Sequence, residues 1–159
     1  MNPVWKKVLE EVGFVSWYRA LSDEFRTEPP FTDHSVTEAQ DKIMEFGFKK
    51  TQYDPKTSFY QVEGVDDTRI VKGLGSGVSV SLKDGSLEVV VAFDLDNDTR
   101  VGGTFSLLPG MLGDTGSPIR KPVFTNYKEL YALLKKIFQK YDDIGNKVID
   151  IYLAEPATM

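Results

Sequence analysis

Six carboxylate side chains in two short segments are the first residues whose spacing suggests chemistry. They are Glu63, Asp66, Asp67, Asp94, Asp96 and Asp98. Carboxylates at alternating positions are typical of calcium-binding loops. A helix–loop–helix calcium loop starting at Asp94 would also need glycine at its sixth position and glutamate at its twelfth, where the chain has Thr99 and Phe105. We therefore interpret the second segment as a hairpin loop, since Asp and Asn favour turns.

Two other motifs are weak candidates for a catalytic or phosphate-binding site. Gly73, Gly75 and Gly77 have the spacing of a phosphate cradle, but such a turn must open a helix and a strand follows here. His34 is the only histidine, and its neighbour Ser35 lies in no nucleophile-elbow motif. We interpret the glycines as the flexible start of a strand, His34 as a solvated loop residue, and Ser35 as a helix cap.

Catalysis by carboxylates alone also lacks a suitable pattern. Adjacent side chains point apart on a helix or strand, which argues against the adjacent acidic pairs. A nuclease motif would need lysine two residues after Glu88, and the chain has Val90 there. The chain contains no cysteine. We assign no catalytic, cofactor-binding or metal-ligating residue, predict no cofactor, and expect that the protein is not an enzyme.

The elements that would position these residues begin with helices. Asn2 as cap and Pro3 at the first position predict a first helix. Gly13 predicts a break within it. A loop with two prolines follows, and Ser35 then predicts the start of a second helix that ends before Gly47.

The middle of the chain has the alternation of strands. Residues 48–53 and 58–62 predict two strands around a turn. Residues 78–82 alternate strictly, and Asp84-Gly85 predicts a two-residue type I′ turn. This turn places six apolar residues on one face: Val78, Val80, Leu82, Leu87, Val89 and Val91. The other face receives Ser79, Ser81, Glu88 and Val90.

The odd numbering of the residues that face the core predicts the length of the next connection. If Val101, Phe105 and Leu107 share the core face with the preceding odd-numbered residues, the loop must have an odd length and be centred on Asn97. The loop then has three or five residues. Gly102-Gly103 indicates a bulge or a close approach of two backbones.

The last part of the chain predicts a loop and a long helix. Residues 108–122 are rich in Gly and Pro and predict an irregular loop. Thr125 or Asn126, with Glu129, caps a helix that Gly145 is expected to end. Residues 148–153 fit a final strand or the end of another helix. We predict one α+β domain over residues 1–159: an antiparallel meander of about five or six strands, with helices before it and a long helix on its apolar face.

Composition excludes several functional classes. The chain has 159 residues, 41% apolar, and a net charge of −5, which disfavours nucleic-acid binding. We expect no secretory signal at the amino terminus, and no apolar stretch of the sequence is long enough for a membrane helix. We predict a cytoplasmic protein with no nucleic-acid or membrane partner, and we make no prediction of its oligomeric state.

The function is inferred from the net negative charge and from the absence of catalytic and metal-binding motifs in the sequence. We expect an acidic protein-binding module, such as an immunity-type inhibitor that neutralises a basic bacterial toxin through Glu63, Asp66, Asp67, Asp94, Asp96 and Asp98. This requires both acidic segments to lie at one edge of the sheet. One alternative is a small-ligand-binding domain with an apolar pocket between sheet and last helix. A second is a metal-assisted carboxylate enzyme.

Overall fold

The described part of the chain begins with three α-helices, continues with a five-stranded sheet, and ends with a short and a long α-helix. The structure is a computed structural model, which describes residues 1–48, 50–63, 75–95 and 99–154. The helices are α1 (Pro3–Glu11), α2 (Phe14–Glu24), α3 (Val36–Met44), α4 (Leu108–Met111) and α5 (Tyr127–Ala154). The strands are β1 (Lys50–Asp54), β2 (Phe59–Glu63), β3 (Gly75–Ser81), β4 (Glu88–Asp94) and β5 (Arg100–Thr104). This confirms the α+β class.

The helix starts lie where their capping residues predict them. The side-chain oxygens of Asn2, Ser35 and Asn126 accept hydrogen bonds from backbone N–H groups in the first turns of α1, α3 and α5. The predicted break at Gly13 is also confirmed, since α1 ends before it and α2 begins after it.

The five strands form an antiparallel meander in sequence order. The predicted register of the central hairpin is confirmed, with Val80 opposite Val89. Asp84 and Gly85 both have positive φ, at 61° and 75°, as a type I′ turn requires. The six apolar residues assigned to the inner face of this hairpin are all buried.

The connection from β4 to β5 follows the parity argument. Asp94 lies opposite Arg100, so the connection spans residues 95–99 and is centred on position 97. The predicted close approach is found at Gly102, where a Cβ atom would collide with the carbonyl oxygen of Val91. Glycine is therefore required there for the two strands to pair.

Two predictions for the sheet are wrong. Leu107 is 62% exposed, because β5 ends at Thr104 and the chain then turns into α4. Ser81 and Glu88 were expected on a solvated face but are buried. Glu88 is covered by the segment after β5, where it contacts both Ser106 and Lys121.

The prediction that Gly145 ends the last helix is also wrong. Helix α5 continues through Gly145 to Ala154, so no separate strand or helix forms over residues 148–153. Ile144, Val148 and Ile151 extend its apolar stripe and are buried. A glycine within a helix costs about 1 kcal/mol relative to alanine. The burial of these three apolar side chains stabilises the helix by more than that cost.

Helix α5 covers the apolar face of the sheet, as expected. The Tyr141 ring stacks on Phe93 of β4 with 5.6 Å between centroids. At the end of α1, the Lys140 ammonium donates a hydrogen bond to the Val12 carbonyl at 3.0 Å and lies 5.1 Å from the centre of the Trp17 ring. Burial lowers the pKa of Lys140. This lysine therefore connects α5 to the α1–α2 corner.

Candidate functional site

The topology brings Glu63 and Asp94, one residue from each acidic segment, to one end of the sheet. Strands β2 and β4 are both antiparallel to β3, so they finish at the same end, about 10 Å apart across one strand. Glu63 is the last residue of β2 and Asp94 the last of β4. We call this the acidic end. Asp66, Asp67, Asp96 and Asp98 lie outside the described residues.

Asp94 is already held by a basic residue of the same chain. Its two carboxylate oxygens accept hydrogen bonds from Arg100, from Nε at 2.7 Å and from Nη2 at 3.4 Å. The hydrogen bond, and then the charge of Asp94, raise the pKa of Arg100. The sequence analysis predicted Asp94 as a partner-binding residue and did not identify its contact with Arg100. A loop centred on position 97 places Arg100 opposite Asp94, so the pair could have been found.

A shallow groove of about 340 Å³ adjoins the acidic end on the face of the sheet that faces away from α5. Its floor is low because Gly77 and Ala92 lie opposite each other and carry almost no side chain. Asp94 and Arg100 form part of its wall. The groove therefore has room for a long side chain from a partner and places a carboxylate beside it.

The same strand carries a buried carboxylate at its other end. Glu88 accepts hydrogen bonds from the Ser106 backbone N–H at 3.2 Å and hydroxyl at 2.6 Å. The Lys121 ammonium lies 3.4 Å from its second oxygen. The Ser106 hydroxyl donates to the carboxylate, and the cluster connects three segments of the chain. Sequence reasoning missed it because the contacts depend on the path of residues 105–122.

His34 does not have the solvated environment predicted for it. Its Nε2 lies 2.7 Å from the Leu82 carbonyl oxygen and therefore carries a proton. Phe31 and Phe124 contact the ring. Its Nδ1 is buried and has no hydrogen-bond partner among the described residues. The companion prediction, Ser35 as a helix cap, is confirmed.

Tyr60 shares this environment. It is 1% exposed, and its hydroxyl has no hydrogen-bond partner among the described residues. Burial, with smaller contributions from Tyr53 and Tyr127, raises the pKa of Tyr60 to about 12. An unpaired buried polar group of this kind costs about 1 to 3 kcal/mol. We call this end of the sheet, where β2 begins and β3 finishes, the tyrosine end.

Across residues 1–48, 50–63, 75–95 and 99–154, no three His, Asp or Glu side chains gather in a metal-binding arrangement. None of the helices formed by these residues is long and apolar enough to cross a membrane. The predicted apolar pocket between the sheet and α5 stays a prediction.

Comparison with protein-family models, curated proteins and solved structures finds no match for this chain. Its function therefore has to be inferred from its residues and their geometry.

Proposed function

We propose that this protein is an acidic binding module of the immunity type, which neutralises a basic protein partner such as a bacterial toxin in the cytoplasm. The observation that supports the proposal is the common direction of β2 and β4, which end at Glu63 and Asp94. The chain also has a net charge of −5.

The groove beside this end supports the proposal. A lysine or arginine side chain of the partner would extend over Gly77 and Ala92 toward the carboxylates at the rim. Since Arg100 already holds Asp94, we assign the main partner contacts to Asp96 and Asp98 by their place in the sequence. Glu63, Asp66 and Asp67 would extend the same negative surface from the neighbouring connection.

Such a module would act by occupying a basic cleft. Carboxylates imitate the phosphates that a cationic enzyme binds, and complementary charge accelerates the encounter of the two proteins. The proposed role needs no reaction centre.

The test uses the protein as bait in lysate of its native host, or in co-expression with the neighbouring reading frame. We expect the wild-type protein to retain a basic protein, and Asp96→Lys plus Asp98→Lys to lose it. The matched control is Glu10→Lys plus Glu11→Lys, which changes the charge equally at exposed positions of α1. The control should retain the partner.

Two results would contradict the proposal. One is retention of every captured partner by the Asp96/Asp98 variant at low salt. The other is equal loss of the partner by both double variants, which would indicate a general effect of net charge and no role for the acidic end.

A further inference from the structure

The two edge strands of the sheet have different surroundings. Helix α3 lies against β1, where the Gln40 amide donates to the Thr51 carbonyl at 3.5 Å and the Thr51 hydroxyl contacts the Met44 sulfur at 3.2 Å. The opposite edge of the described sheet is β5, which pairs with β4 on its other side. An edge strand presents N–H and C=O groups with which another strand can pair.

The outward-facing backbone groups of β5 follow from its hydrogen bonds with β4. The Phe105 N–H donates to a β4 carbonyl at 2.8 Å, so the backbone of Phe105 faces β4. Because the direction alternates along an antiparallel strand, the N–H and C=O groups of Arg100, Gly102 and Thr104 point away from β4. Among the residues that the structure describes, the only partner of these outward groups is the Leu107 N–H, which donates to the Thr104 carbonyl at 2.9 Å. Most of this edge is therefore open.

The sequence of β5 does little to block pairing with another strand. Exposed edge strands are commonly protected by lysine, proline or a bulge. The five residues of β5 include neither lysine nor proline, and they pair with β4 one to one without a bulge. Its one charged residue, Arg100, lies at the first position and is held by Asp94 of the same chain.

Exposed apolar side chains lie close to this edge. Helix α4 packs against β5, because the Leu108 side chain fills the space above Gly103, 2.7 Å from where a Cβ atom would lie. Leu107 and Met111, at the start and the end of this short helix, are 62% and 55% exposed. The open edge therefore adjoins apolar surface as well as free backbone groups.

We propose that β5 pairs with β5 of a second copy of this chain, antiparallel about a two-fold axis at Gly102. This register uses every outward residue of the strand, because Gly102 meets its counterpart and Arg100 lies opposite Thr104. The two Gly102 residues exchange hydrogen bonds, and the Thr104 N–H donates to the Arg100 carbonyl of the second copy. Glycine keeps the axis free of side chains, and no like charges lie opposite each other.

The paired strands would join the two sheets into one continuous sheet. Because the strands are antiparallel, the acidic ends of the two copies point in opposite directions and remain uncovered. The dimer is therefore independent of the function proposed above.

Sedimentation velocity of the wild-type protein tests whether the dimer forms. Over a concentration range of about 10 µM to 1 mM, we expect a monomer–dimer equilibrium with a Kd of about 0.1 mM, because a contact of five residues in each copy is small. A single monomeric species over the whole range would overturn the proposal.

Charge at position 104 tests the register. Thr104→Lys places a lysine opposite Arg100 of the second copy, twice by symmetry, and should weaken the dimer about fivefold. Thr104→Glu places an opposite charge there and should strengthen the dimer about fivefold. General repulsion between chains of net charge −5 would give the reverse order, since the lysine variant is less negative and the glutamate variant more negative.

The matched controls are Thr37→Lys and Thr37→Glu, which make the same exchanges at an exposed position of α3. Neither should change the Kd by more than about twofold, since α3 lies at the opposite edge of the sheet. Equal dimerisation of the two Thr104 variants, or the reverse order, would overturn the proposed register.

Hydrogen exchange of the wild-type amides decides the matter even if a variant folds poorly. The outward amides of Gly102 and Thr104 should exchange more slowly at 1 mM than at 10 µM protein, by about tenfold. The Gly103 amide already faces β4 and should change much less. A dimer that forms without slowing exchange at Gly102 would use another surface and would overturn the proposal.

Discussion

The two ends of the sheet hold their polar groups in opposite ways. At the acidic end, the Asp94–Arg100 pair is exposed, with 42% of the aspartate and 71% of the arginine side chain accessible. At the tyrosine end, Tyr60 and His34 carry buried polar atoms that have no partner within the described part of the chain. Water and salt screen the first group, whereas they reach the second group poorly. The acidic end is therefore suited to long-range attraction, whereas the polar atoms of the tyrosine end are shielded from solvent.

Strand β4 contains the same contrast within seven residues. Glu88 and Asp94 are its first and last residues, and their side chains lie on the same face of the sheet. Glu88 is buried and accepts a hydrogen bond from the Ser106 hydroxyl. The Asp94 side chain is exposed and is paired with Arg100, whose side chain is also exposed. The surroundings of each carboxylate, and not its residue type or strand, decide what it contributes to stability.

The largest expected effect comes from breaking the buried cluster. Glu88→Ala leaves the Ser106 N–H and the Lys121 ammonium without their acceptor, and we expect a loss of about 2 to 3 kcal/mol in the free energy of unfolding. Urea denaturation at pH 7 measures it. Glu88→Gln keeps the size and one acceptor oxygen, so it should lose about half as much. Equal stability of Glu88→Ala and wild type would contradict the contrast within β4.

A smaller effect is expected from Tyr60 at alkaline pH. An unfolded tyrosine titrates near pH 10, and burial raises the pKa of Tyr60 to about 12 in the fold. The folded state holds the phenol proton more tightly than the unfolded state. The resulting contribution of Tyr60 to the free energy of unfolding is complete below pH 10 and is lost as the pH rises toward 12. We expect the wild type to lose roughly 1 kcal/mol more than Tyr60→Phe between pH 9 and pH 11 in urea denaturation. Equal losses would show that the hydroxyl is not desolvated.

The smallest effect is expected at the acidic end. Asp94→Asn and Arg100→Gln remove an exposed ion pair, which contributes little to folding. Each variant should have the same urea midpoint as wild type within experimental error. A clear loss of stability at low salt that disappears at high salt would contradict this assignment.

Local patterns predicted much of the sheet. Strict alternation and the Asp84-Gly85 turn were enough to predict the register of β3 with β4, because a shift by one residue would expose the whole apolar face. Parity also predicted an odd connection centred on Asn97. The failures occurred where tertiary contacts outweigh local preference. Leu107 was predicted on the core face of the last strand but is exposed, because the chain turns after Thr104. Gly145 was predicted to end α5, but the helix continues through it.

The candidate sites were less predictable than the fold. The topology of β2 and β4 follows from a meander, so the position of Glu63 and Asp94 at one end of the sheet could be foreseen. The environment of His34 could not, because the loop before α3 contacts Leu82, which lies 48 residues away in sequence. No local sequence pattern predicts the contact between His34 and Leu82.

The most direct test of the central claim is the rate at which the captured partner associates with this protein, measured by stopped flow at low and high ionic strength. We predict that Asp96→Lys plus Asp98→Lys slows association at least about tenfold at low salt relative to Glu10→Lys plus Glu11→Lys, and that high salt reduces the difference. Equal association rates of the two double variants at low salt would contradict the claim that the acidic end recognises a basic protein.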